Sequence, residues 1–469
     1  MTPPILIHPD CEAYQSLAEK AWMLARQNVR RYPASGKPAF MKEGFDEENL
    51  YFWDTCFMLQ YAKYSPDTLP GVATLEKFFA VQRNDGFIPR CFNLKTGRSP
   101  LPYDDINPPL AAWSLLDVIR QTGNTLRLEE HLKHLVSFDE WIERTRRRKD
   151  GTWWFSDGAG SGMDNSPRTA RRNKEGNDVG WIDLAAQQAL SAESISELAR
   201  IAGDSALESA YREIYEKRLD FLERRHWCRK TGMYLDLLLQ GLETESYRAY
   251  FSSAKSIASF WPMLAEKCDK ERLRRLLLHL LNPEEFNRPH PVPSLSYDNP
   301  NYSANGCYWQ GGVWAPTNYM IVRGLLRNEQ YASAREITLR HLDFMDRVYR
   351  HSEPHTIWEA YSPETARPAK IDCGVYGKEE DEIPVRKDFC GWSALGPISM
   401  LIEAVLGIEC DYPARKIVWH SNCYARHGIE NLPFGPARIS LIAERSNPGE
   451  IPQIAVTAPF PVKIEFKRF

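Results

Sequence analysis

Two carboxylates far apart in the chain stand in the same kind of setting. Asp164 lies in Ser161-Gly-Met-Asp-Asn-Ser-Pro-Arg168, a turn-rich stretch that follows the aromatic run Trp153-Trp-Phe155. Glu359 lies 195 residues on (359 − 164), in Trp358-Glu-Ala-Tyr-Ser-Pro363. Carboxylates set among aromatics and turn residues suit an acid and a base on either side of a sugar: ring faces stack on the sugar's apolar faces, and the carboxyl groups move protons. Each also has a plainer reading. Asp164 fits an Asx turn ahead of Pro167, and Glu359 fits a loop glutamate with acidic neighbours at Glu353, Glu364 and Glu379 to Glu382.

Positioning such a pair is a matter of helices. Helical periodicity predicts twelve segments, near 11–32, 53–66, 69–83, 107–123, 126–147, 181–203, 205–225, 253–267, 270–281, 314–327, 329–349 and 392–407. One pair shows the warrant. Ile195, Leu198, Ala199 and Ala202 recur at helical spacing, Gly203 stops the helix, and Asp204-Ser205 can cap a second helix carrying Leu207, Ala210, Tyr211 and Ile214. Short breaks alternate with long Gly/Pro/aromatic connections near 33–52, 84–106, 148–180, 226–252, 282–313 and 350–391. Long loops in a compact domain are usually functional, and in a ring of six hairpins all six would lie on one rim. The expectation is an all-α fold, an (α/α)6 barrel spanning residues 1–407. Residues 408–469 follow as a small antiparallel β tail, from the alternating segments Lys416–Trp419, Ala437–Ile442 and Val462–Phe466.

The distinctive stretches fall in or beside those long connections. They are Tyr51-Phe-Trp-Asp-Thr55, Gln82 to Arg90, Asp105-Ile-Asn-Pro-Pro109, Ser161 to Arg168, Tyr308-Trp-Gln-Gly-Gly-Val-Trp314, Trp358 to Pro363, and Asp388-Phe-Cys-Gly-Trp392. In this ordered set, from about residue 50 to 407, the chain resembles the trehalase-like glycosidases of glycoside hydrolase families 37 and 63. These include trehalases, processing α-glucosidases and mannosylglycerate hydrolases. The resemblance implies a six-hairpin barrel and hydrolysis with inversion at the anomeric carbon, with Asp164 as general acid and Glu359 as general base. Inversion needs room for a water, a carboxyl separation of roughly 6.5–9.5 Å.

By the same resemblance Trp53 and Asp54 match the family's Trp-Asp pair, the ring stacking on the sugar and the carboxylate taking its hydroxyls. Asn107 stands where trehalases carry Gln before Pro-Pro, and Asp388 matches an acidic position that shapes the pocket. Arg90 and Arg168 are candidates for hydroxyl contacts or for tuning the acid, or are surface ion-pair partners. Trp309, Trp314 and Trp392 are candidate subsite walls, Trp392 equally a core residue. Asp-Ile-Asn-Pro-Pro departs from the longer trehalase signature Arg-Ser-Gln-Pro-Pro, and the large extra domains of many family 63 α-glucosidases are missing.

Composition narrows the alternatives. The 469 residues include 14 Trp, 21 Tyr and 20 Phe, and the formal net charge is −3, so no global charge draws the chain to nucleic acid or a membrane surface. Ten scattered cysteines form no CxxC pair or zinc-like cluster, and the N-terminus lacks the pattern of a signal peptide, which together point to a cytoplasmic protein with free thiols, the alternative being a periplasmic one from which a leader has been removed. The reading is an inverting, exo-acting α-glycosidase, an α-glucosidase on a short glucoside, needing no metal or organic cofactor. A mannosylglycerate-type hydrolase is the alternative within the class. The basic runs Arg144 to Lys149 and Arg171 to Lys174 would favour an anionic substrate in that case, or are solvated helix ends. Outside the class stand a sugar epimerase using His290, His351 or His355, and a non-catalytic carbohydrate-binding barrel. Oligomeric state has no signature in the chain.

Overall fold

The computed structural model describes residues 2–32, 37–168, 178–242, 244, 246–371 and 383–469. Among them, the main helices are α1 (Gln15–Gln27), α2 (Phe52–Ala62), α3 (Gly71–Ala80), α4 (Ala111–Thr122), α5 (Leu128–Arg146), α6 (Ile182–Ala202), α7 (Ser205–Arg225), α8 (Trp261–Ala265), α9 (Lys270–Leu280), α10 (Ala315–Arg327), α11 (Tyr331–His351) and α12 (Gly396–Val405). Their boundaries follow local chemistry. Gly203, at φ +81°, ends α6 in the left-handed conformation that glycine adopts without strain, and the Asp204 carboxylate then accepts the Leu207 amide at 3.0 Å to start α7. Gly123 (φ +64°) closes α4 in the same way, and Asp269 caps α9 by accepting from Glu271 and Arg272.

Two kinds of helix emerge. Every residue of α2 and of α12 is buried, whereas α7 buries only Tyr211, Tyr215, Arg218 and Leu222, one stripe at helical spacing. A helix buried all round belongs inside and a striped one outside. Packing neighbours agree: α2 packs on α4, α4 on α6, α6 on α8, α8 on α10, α10 on α12, and α12 back on α2. Around these, α3 lies on α2, α5 and α7 on α6, α11 on α10 and α12, and α1 on α12. No helix among the described residues is long and apolar enough to cross a membrane.

Several expectations shift in detail. The first helix ends at Gln27, and Val29–Tyr32 instead pairs antiparallel with Lys37–Met41. The fourth begins at Ala111 rather than 107, since residues preceding Pro108 and Pro109 are steered away from helical backbone. The segment 253–267 holds only a 3-10 turn, Ile257–Phe260, leading into the short α8. The last helix is wound as a π-helix after a 3-10 turn at Ser393–Leu395.

The C-terminal strands form two sheets. In one, Ile5–Ile7 from the chain's beginning pairs with His427–Phe434, which continues to Ala437–Ala443 and Ile454–Thr457, all antiparallel. In the other, Ile408–Asp411 pairs antiparallel with Lys416–His420, but Lys463–Lys467 joins parallel. This corrects the expected purely antiparallel tail: the last strand arrives after a passage through the other sheet, so no hairpin forces it to run opposite its neighbour. The tail is tied to the carboxyl end of α4, with Tyr412 N–H donating to Arg120 C=O at 2.7 Å and Gly435 N–H to Gln121 C=O at 3.0 Å.

Candidate active site

The amino-terminal ends of the buried helices carry the aromatic and carboxylate stretches. Trp53 and Asp54 sit in the first turn of α2, Trp314 immediately precedes α10, and Trp392 precedes the turn into α12. Gly162 holds the 161–168 turn against this cluster. Its φ is +78°, and a Cβ there would stand 2.4–2.6 Å from the indole of Trp53, so only glycine lets the turn lie on that ring. Asn165 then stitches the turn to the next motif: its Nδ2 donates to Cys307 C=O at 2.9 Å, its Oδ1 accepts the Trp309 amide at 2.8 Å, and its C=O accepts from Gln310 Nε2 at 3.3 Å.

Within this frame the Asp164 carboxyl is enclosed by protein, while the residue keeps a partial opening to solvent. Burial pushes its pKa up to about 7. The Arg90 guanidinium pulls against that rise, and the charges of Glu359 and Asp157 add to it. Glu359 is 1% exposed. Its Oε2 accepts the Arg386 amide at 3.2 Å, and its Oε1 pairs with the Arg386 guanidinium and accepts from Tyr308 Oη at 3.4 Å. Burial raises this carboxyl too, with Arg386 the chief opposing influence. Its main chain is equally fixed, N–H donating to Arg386 C=O at 2.9 Å and C=O accepting from Trp392 Nε1 at 3.1 Å.

The other expected residues divide. Asp54 is 2% exposed and pushed well above the usual carboxylate range by burial, then by the charges of Glu43 and Glu359. Its buried Oδ1 has no hydrogen-bond partner among the described residues. Arg90 Nη1 lies 2.7 Å from Asp105 and 3.7 Å from Asp157, and burial lifts Asp105 to about 6 against the pull of Arg90. Asn107 Nδ2 donates to Gly160 C=O at 3.3 Å, supporting the loop just ahead of Asp164. Trp53, Trp309, Trp314 and Trp392 form one cluster: Trp309 stacks on Trp314 with centroids 4.0 Å apart, and Trp53 lies 6.0 Å from Trp309 and 5.4 Å from Trp392.

Arg168 and Asp388 lie elsewhere. Arg168 is fully buried, donating to Asp183 and Asp236 through bonds of 2.6–2.9 Å with its guanidinium over Trp181, which commits it to an internal ion cluster at the start of α6. Asp388 is half exposed, bonded to Thr356 and 3.6 Å from Lys20. The histidines named for an epimerase do not converge: His290 is buried against His341 at 2.7 Å, His351 ends α11, and His355 is exposed. Arg146 to Arg148 are spent on Asp104, Glu143 and Val179 and on the faces of Trp153 and Trp154. Arg171 to Lys174 fall outside the described residues.

Four contributors carry no role in the sequence reading: Glu43, Asp157, Tyr308 and Arg386. Position signals Tyr308 and Arg386, beside Trp309 and two residues before Asp388. Nothing in its sequence neighbourhood marks Glu43, a fully buried glutamate 3.2 Å from the equally buried Lys42.

This set of paired, enclosed carboxyls and clustered indoles is that of a glycoside hydrolase, and comparison with known proteins agrees. Residues 48–377 match the model of the mannosylglycerate hydrolase MGH1-like glycoside hydrolase domain, and the chain belongs to that family. It is 26% identical over 438 residues to an uncharacterized protein of Borreliella burgdorferi, covering 92% of this chain and 87% of that one. A probable mannosyl-oligosaccharide glucosidase of Schizosaccharomyces pombe is 21% identical over 274 residues, 55% of this chain but 31% of the longer relative. Among solved structures, the GH63 mannosylglycerate hydrolase of Thermus thermophilus in complex with glucose superposes with a TM-score of 0.63 at 18% identity, over 82% of this chain and 99% of that one.

Proposed function

We propose that the chain is an inverting, exo-acting α-glycosidase, an α-glucosidase on a short glucoside, with Asp164 as general acid and Glu359 as general base. The closed sequence of helix contacts, α2 through α12 and back, supports reading the scaffold as an (α/α)6 barrel with this site at its long-loop end. The observation that carries the assignment is the contrast between the two carboxyls: Asp164 is poised near neutrality by burial, while Glu359 is held by a guanidinium. In the reaction Asp164 gives its proton to the glycosidic oxygen as the bond to the anomeric carbon breaks. A water attacks that carbon from the opposite face and yields its proton to Glu359. The unpartnered oxygen of Asp54 would accept or donate to a hydroxyl of the bound ring, and the indoles of Trp53 and Trp309 would wall it.

The glucose bound to the Thermus thermophilus hydrolase and the glucosidase among the relatives support a glucosyl unit. The family's mannosylglycerate name supports a second reading, a glycosyl-glycerate substrate. Proton NMR of freshly released sugar from a panel of α-glucosides and glycosyl-glycerates decides among these. The expected product from an α-glucoside is the β-anomer, with hydrolysis lost in Asp164→Asn and Glu359→Gln. Release of the α-anomer, or activity surviving both substitutions, refutes the mechanism.

A further inference from the structure

We infer that Arg386 is a positioning residue for hydrolysis, orienting Glu359 and leaving one lone pair of its carboxylate aimed at the attacking water. This rests on the reading of Glu359 as the base. A carboxylate has about four acceptor directions. At Glu359 three are taken among the described residues: the Arg386 amide on Oε2, and the Arg386 guanidinium and Tyr308 hydroxyl on Oε1. Arg386 Nη1 also reaches Tyr308 Oη at 3.4 Å, closing a ring of three groups. The fourth direction, on Oε2, is where a water can be held and deprotonated.

Arg386 is itself held from several sides. Its guanidinium lies over Phe45 at 4.3 Å, and Phe45 in turn stacks on Phe389 at 5.6 Å. Its C=O receives the Glu359 N–H, and the neighbouring Lys387 bridges to Trp358. The base and its partner thus lie on two paired segments, so a shift of one carries the other. Charge completes the argument. Glu43, Asp54 and Asp164 crowd the same enclosure, and Lys42 answers Glu43 while Arg90 answers Asp164. Arg386 supplies the cation that opposes the rise burial and these neighbours impose on Glu359.

Arg386→Met and Arg386→Lys test this. The side chain is 33% exposed, so both substitutions leave the core intact. Carboxyl-carbon NMR of glutamate-labelled protein, with Glu359 assigned by its loss in Glu359→Gln, gives its titration midpoint without reference to activity. The midpoint is expected to rise by about one to three pH units in Arg386→Met and to return most of the way in Arg386→Lys. The acidic limb of kcat should move by the same amount while KM changes less than about threefold, since only the transition state uses the oriented water. A midpoint unmoved in Arg386→Met, or a uniform fall in kcat at every pH that lysine does not restore, overturns the inference. If the wild type hydrolyses no glycoside the functional reading falls, and the NMR midpoint alone still decides whether Arg386 governs Glu359.

Discussion

Replacing Asp164 by asparagine should make the protein more stable at alkaline pH while disabling it, and the size of the gain can be worked from the site. The carboxyl titrates near 7 in the folded chain against an ordinary value of 3.8. The folded state therefore holds a proton that the unfolded state releases between those values. The sign follows: the stability tied to this proton is fully present below about pH 4 and is lost as pH rises through 7. A difference of 3.2 (7 − 3.8) corresponds to about 4 kcal/mol. That is an upper value, because Asp164 retains some access to solvent, and about 2–4 kcal/mol is the expected range. Asparagine has the same shape and no titration, so it escapes the cost.

With an unfolding entropy of about 1 kcal/mol/K for a chain of this length, Asp164→Asn should melt within about 1 °C of wild type at pH 4 and about 2–4 °C above it at pH 8. Differential scanning calorimetry across that window reads the divergence directly. In parallel, kcat on a substrate with a poor leaving group should fall by about 10²–10⁴, the usual worth of a general acid. Melting curves that stay parallel from pH 4 to pH 8 would show that Asp164 is not the group held protonated, and the acid assignment would lose its physical basis.

Two further substitutions separate architecture from chemistry. Gly162→Ala drives a methyl into the Trp53 indole from a left-handed backbone. It should cost about 2–5 kcal/mol in stability and at least tenfold in kcat/KM, because the displaced turn carries Asp164; unchanged melting and kinetics would contradict the observed contact. Arg168→Met strands Asp183 and Asp236 as buried charges without their cation. A loss of about 3–5 kcal/mol by thermal melting is expected, with KM within about twofold of wild type at a temperature well below the transition. A raised KM with normal stability would return Arg168 to the sugar.

How far the sequence reaches is clearest at particular residues. Gly203 and Asp204 announce their helix boundary because one supplies a left-handed turn and the other a side-chain cap, both local effects. The Trp-Asp pair at 53–54 and the motifs proposed for the acid and base at 164 and 359 stand out in the chain because aromatic and turn residues around a carboxylate form a short-range pattern. Arg168 misleads by the same proximity: four residues from Asp164 in the chain, its side chain turns to partners 15 and 68 residues away. The parallel pairing of Lys416–His420 with Lys463–Lys467 is likewise a long-range fact, set by the route of the chain through a second sheet. Glu43 is the extreme case, a lone glutamate in a loop whose burial depends on Lys42, Tyr51 and the Gly391 segment closing over it.

The carboxylates at the two ends of the buried helices keep different company, which favours the amino ends for the proposed site. At the carboxyl ends, a cavity of about 340 Å3 is lined by Lys63, Asp117, Glu193, Arg323, Arg327 and Glu403 among others. By volume alone it invites a ligand. There, however, the buried acids Asp117 and Glu403, and Glu193 beside them, each have a cation: Lys63 Nζ lies 3.0 Å from Glu403 and 3.5 Å from Asp117, Arg323 reaches both, and Arg327 grips Glu193 with two bonds of 2.6–2.7 Å. Asp117 is accordingly held far below the usual carboxylate range, fixed as an anion at any working pH. At the amino ends the same residue type meets fewer cations than carboxylates, and burial lifts Asp105 to about 6 and Asp164 to about 7 and pushes Asp54 well above the usual carboxylate range. A proton that must be delivered and regained in each turnover needs the second environment, since the first never releases its acids from their charge.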